Sequence, residues 1–118
     1  LKKGIAELKE IRKEFETNLF IPGSKEGMNV ELDKAIRLYD FITMGELVAY
    51  DALNRNESCG GHFREEYQTE EGEAKRDDEN FFYVACWEYQ GDDEKAPVLY
   101  KEPLVYEAIK VQTRNYKS

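Results

Sequence analysis

Residues 31–54 read ELDKAIRLYDFITMGELVAYDALN, and how this stretch buries its apolar side chains decides the fold. Its first half is amphipathic with a helical period, carried by Leu32, Ala35, Ile36 and Tyr39. The centre, Phe41, Ile42, Met44, Leu47, Val48, Ala49 and Tyr50, is apolar around most of the circumference. Glu31 and Asp33 suit the positive end of a helix dipole, so a helix is predicted from the neighbourhood of Asn29 to about Asn54, roughly seven turns long. A helix apolar on several sides needs several partners.

Upstream, Leu1, Ile5, Leu8, Ile11 and Phe15 draw one apolar stripe on a shorter helix, with Lys and Glu between them. No Ser, Thr, Asp or Asn precedes Leu1 as a cap, which reads as the abrupt edge of a piece excised from something larger. The helix should end near Thr17 or Asn18, before the turn set by Ile21-Pro22-Gly23-Ser24. One such helix covers only one side of the second. Either the downstream residues seal what is left, or an absent helix or domain does.

Downstream, 81–90 (FFYVACWEYQ) is rich in aromatic and β-branched residues, with Phe82, Val84 and Cys86 on one face and Phe81, Tyr83, Ala85 and Trp87 on the other. Gly91-Asp92-Asp93 makes a turn. Pro97–Tyr100 with Leu104–Tyr106 then gives a return strand interrupted by Pro103. Phe81 and Phe82 have a competing place in a short helix, because Asp77, Asp78 and Asn80 also resemble a helix start. The predicted architecture is mainly α with a β extension: a helical hairpin over 1–56, a glycine and acidic contact loop over 57–80, and an irregular C-terminal β-hairpin over 81–118, all in one domain.

Composition limits the function classes. A chain of 118 residues suits one modest domain. Its 17 basic against 25 acidic residues give a net charge of -8, which repels a phosphate backbone, so nucleic acid is not expected as a partner. Hydrophobic residues at 41% are enough for a core, while 36% charged residues require extensive contact with water. No apolar run reaches about 18 residues, so no membrane insertion is expected, and LKKGIAELKE lacks the apolar centre of a secretory signal. A cytosolic setting with reduced thiols follows, Cys59 and Cys86 being too few and too differently placed for a disulfide framework.

Between helices and hairpin lies NESCGGHFREEY (56–67), then an acidic spacer, then KRDDEN (75–80). Gly60 and Gly61 permit positive φ or a close approach to another surface. They fit neither GxGxxG nor GxxxxGK[ST], so phosphate cradling is not expected of them. His62 is the only imidazole and is able to move protons, yet no nucleophile, base and orienter can be assembled around it. Arg64 and Arg76 stand among many carboxylates. They either pair internally through their planar forks or reach across an interface. The acids lack the alternation of a calcium loop, and one His with two separated Cys gives no zinc spacing.

This constellation resembles the C-terminal region of the flavoprotein subunit of succinate dehydrogenase and fumarate reductase, which carries E-S-R-G-A-H-x-R-x-D and then R-D-D-x-N. The matching residues are Glu57, Ser58, Gly60, His62 and Arg64, then Arg76, Asp77, Asp78 and Asn80. Cys59 stands in place of arginine and Gly61 in place of alanine, and the spacer from Gln68 to Lys75 is longer than in many members. The likeness extends more weakly to the helices of 1–12 and 31–54.

The resemblance implies a partial spectrin-repeat-like three-helix bundle, two of whose helices are present, packed beside a flavin domain of the same chain. It implies an enzyme that interconverts succinate and fumarate through FAD held by an absent N-terminal domain. Electrons would pass through an iron-sulfur subunit to or from quinone, in a complex with membrane anchor subunits on the inner face of the cytoplasmic membrane. No catalytic, cofactor-binding or metal residue is expected in this segment. Glu57, Ser58, Gly60, Gly61, His62, Arg64, Arg76, Asp77, Asp78 and Asn80 are its candidate contacts with the flavin domain. L-aspartate oxidase, adenylylsulfate reductase or a free-standing interaction module are the alternatives.

Overall fold

The structure is a computed structural model that describes residues 1–113 of the 118. Two compact units meet at the Asn54–Arg55 peptide. The first holds α1 (Lys2–Asn18) and α2 (Val30–Asn54); the second holds the short helix α3 (Asp78–Phe81) and an antiparallel pair, β1 (Tyr83–Glu88) and β2 (Val98–Pro103). The expected mainly α fold with a β extension is therefore present, with both long helices within a residue or so of their predicted limits. The last five residues of the predicted extension, 114–118, lie outside the described residues.

Asn29 starts α2. Its side-chain Oδ1 accepts from the backbone N–H groups of Glu31 and Leu32, each at 3.1 Å, which satisfies two of the donors a helix start leaves without an internal partner. The Asn29 amide also donates to the Pro22 carbonyl at 3.3 Å. Gly23 makes that approach feasible: it sits at φ 117°, and a Cβ there would lie 2.8 Å from the Asn29 side chain. A local cap thus also closes the connection between the helices.

The seam between α1 and α2 runs through Ile5, Leu8, Arg12 and Phe15 on one side and Ala35, Tyr39, Ile42, Glu46 and Ala49 on the other, all buried or half-buried. Spacings alternate between three and four residues on both helices, which keeps each stripe facing its neighbour. Ile42 is 5% exposed, and burying such a side chain contributes about 2 kcal/mol. The Phe15 and Tyr39 rings meet at 5.8 Å between centroids in a tilted arrangement.

One position on α1 departs from expectation. Ile11 and Leu1, assigned to the apolar stripe, are half exposed, and Arg12 occupies the seam instead. Its guanidinium Nη2 lies 2.6 Å from Glu46 Oε2, with Lys9 at 4.0 Å from the other carboxylate oxygen. The long methylene stem lets an arginine fill an interhelical site while its head finds a carboxylate. Apolar periodicity alone assigns the place to isoleucine.

On α2 the side turned away from that seam stays open. Phe41, Met44 and Val48 are 69%, 58% and 60% exposed, and Ile36, Leu32 and Leu38 are exposed as well. Within this unit, α1 supplies the partner on one side of the helix.

In the second unit the hairpin pairs Tyr83 with Pro103 through to Glu88 with Val98. Tyr83, Ala85 and Trp87 share the more covered face; Val84 and Cys86 are exposed. Phe81 closes α3 instead of opening the strand, so the helical alternative for this residue holds. The return strand is continuous from Val98 and stops at Pro103, whereas Leu104–Tyr106 had been expected to prolong it. Proline has no N–H for the ladder, so it ends the pairing rather than interrupting it. Beyond it, the Leu104 N–H donates back to the Phe82 carbonyl at 3.2 Å, and the Tyr106 ring meets Phe82 edge-on at 5.7 Å.

Candidate functional site

The loop from Arg55 to Phe81 is organised by two buried polar residues. Glu57 is 2% exposed and Ser58 is fully buried. Glu57 Oε1 accepts from Arg55 Nε at 2.7 Å, and Oε2 accepts from the Asp77 backbone N–H at 2.9 Å. Arg55 in turn donates through Nη2 to the Phe81 carbonyl at 2.8 Å. One carboxylate therefore fastens the two ends of the loop. A buried charge is tolerable only with such a complement of donors.

Ser58 clamps the other axis. Its hydroxyl donates to the Arg64 carbonyl at 3.1 Å and accepts from the Arg64 N–H at 2.8 Å, while its own N–H donates to the Lys75 carbonyl. Between these clamps, Cys59 and His62 exchange backbone hydrogen bonds of 2.8 and 3.0 Å around a two-residue turn. Gly60 takes φ 57° there, a left-handed conformation that glycine adopts at little cost. Gly61 needs no positive φ, and a Cβ on it would meet open space.

The charged residues of the loop answer one another. His62 Nε2 donates to the Arg55 carbonyl at 3.0 Å. Arg64 donates to the same carbonyl, to Asn56 Oδ1 at 2.9 Å and to Glu66 Oε1 at 2.9 Å, with its guanidinium 4.9 Å from the Tyr67 ring centre. The hydrogen bond from Arg64 holds the exposed Glu66 carboxyl below its usual range. Arg76 clasps Asp78 through Nε and Nη2 and donates to the Gln112 carbonyl at 3.2 Å. That bond to Asp78 raises the Arg76 pKa further above its already high value. Asp77 caps α3, accepting from both the backbone and side-chain nitrogens of Asn80.

The ten predicted contact residues therefore fall into distinct roles. Glu57 and Ser58 form the interior of the loop and are not its outer surface. His62, Arg64, Arg76 and Asp77 are half-buried and hold loop geometry, the arginines pairing within the loop with Glu66 and Asp78. Gly60, Gly61, Asp78 and Asn80 are exposed. Sequence reasoning missed Arg55, which lies one residue outside the recognised stretch. An arginine two residues before a glutamate that turns out to be buried was the available signal. The Arg12–Glu46 pair on the helices was missed for the same reason, each charge looking like ordinary surface in isolation.

Chemically, the loop is built to be rigid. Among the described residues no three His, Cys, Asp or Glu side chains converge as metal ligands, and no helix is long and apolar enough to cross a membrane. Cys59 and Cys86 are free thiols.

No curated protein matches the chain. The family described as fumarate reductase flavoprotein C-term matches residues 1–116, nearly the full length, including both long helices, the Glu57-centred loop and the hairpin. The chain belongs to the C-terminal family of the succinate dehydrogenase and fumarate reductase flavoproteins.

Proposed function

We propose that this chain supports the flavin domain of a subunit that interconverts succinate and fumarate, and contributes no reacting group itself. Family membership supplies the flavoprotein context. The observation that carries the supporting role is the apolar strip of Phe41, Met44 and Val48, left open on a helix whose other side is already packed. Exposed apolar surface of this kind is a place for another part of the protein to sit. A preceding helix, completing a three-helix bundle, or the flavin domain itself covers it, and Gly60, Gly61, Asp78 and Asn80 supply an exposed polar edge of the same function, held in shape by Glu57 and Ser58.

In this reading FAD is bound by a separate dinucleotide-binding domain, electrons pass to or from an iron-sulfur subunit and quinone, and the complex lies on the inner face of the cytoplasmic membrane through anchor subunits. The side chains here agree with a structural part: His62 and both loop arginines are occupied in holding the chain to itself. The test is an assay of the intact flavoprotein and of this chain alone, with succinate and an electron-accepting dye. Intact protein should reduce the dye and the isolated chain should not. Turnover by the isolated chain overturns the supporting role; turnover of aspartate in place of succinate by the intact protein assigns it to the L-aspartate oxidase branch.

A further inference from the structure

We draw no further inference here: the strongest candidate, the open apolar groove lined by Leu19, Phe20, Ile21, Pro22 and Leu38 where the α1–α2 connection meets α2, has only the exposed Glu31–Lys34 pair beside it, and nothing in the structure shows what covers it.

Discussion

Glu57 is only 2% exposed, yet it holds together the segment from Arg55 to Asp77 through two hydrogen bonds, one from each end. Replacing it with alanine strands the Arg55 guanidinium and the Asp77 N–H at once. The expected loss is about 3 kcal/mol, with Glu57→Gln intermediate because its amide nitrogen no longer accepts. Urea unfolding followed by Trp87 fluorescence measures it, and a loss below about 0.5 kcal/mol would contradict the clamp. A second expectation concerns Glu66. Its carboxyl is held low by Arg64, so its folded-state benefit is present above the ordinary carboxylate range and fades as pH falls through the lowered value. In Arg64→Ala the carboxyl should titrate at a higher pH than in the parent, read from its side-chain NMR shift; an unchanged titration refutes the assignment. The motif residues were legible as a constellation because their types and order are distinctive. Their individual roles were not, since burial of Glu57 and Ser58 depends on residues about 20 positions away that bring their backbone alongside.

At the scale of elements, both long helices were readable from periodicity, and Asn29 from the chemistry of caps. The substitution of Arg12 for Ile11 in the seam was not, because a rotation of roughly 100° about α1 is decided by what α2 presents, and α2 presents Glu46. This pair makes a sharp test. Removing either partner alone, as in Arg12→Ala or Glu46→Ala, leaves a poorly hydrated charge and should cost about 2 kcal/mol. The double change Arg12→Met with Glu46→Leu should come close to the parent in stability, since apolar packing replaces a desolvated pair at little net loss. Thermal or urea unfolding followed by helical circular dichroism gives both values, and additive losses in the double variant would show that the two side chains are not coupled. The hairpin follows the same division: alternation in 83–88 located β1, whereas Pro103 was readable as a break but not as the end of β2, because only the register with Tyr83 fixes where pairing stops.

For the whole molecule, the decisive feature is the helix face that the described chain leaves open. Phe41→Glu and Val48→Glu sit on exposed surface, so in the isolated chain they should shift stability by no more than about 0.5 kcal/mol. On the proposed supporting role, the same changes in the intact flavoprotein would place a carboxylate under a covering surface, and retained flavin, read from its visible absorbance per protein, should fall severalfold. Full retention in both variants would remove the supporting role from this face. Net charge, the positions of the long helices, the place of β1 and the family motif were all determined by the sequence alone, because each depends on local periodicity, residue chemistry or the order of a few neighbours. Tertiary structure alone decided that Arg12 lies in the helix seam, that Glu57 and Ser58 lie inside their loop, and that Phe41, Met44 and Val48 remain in solvent. Burial is set by which distant residues arrive alongside, and no local pattern in this chain records that.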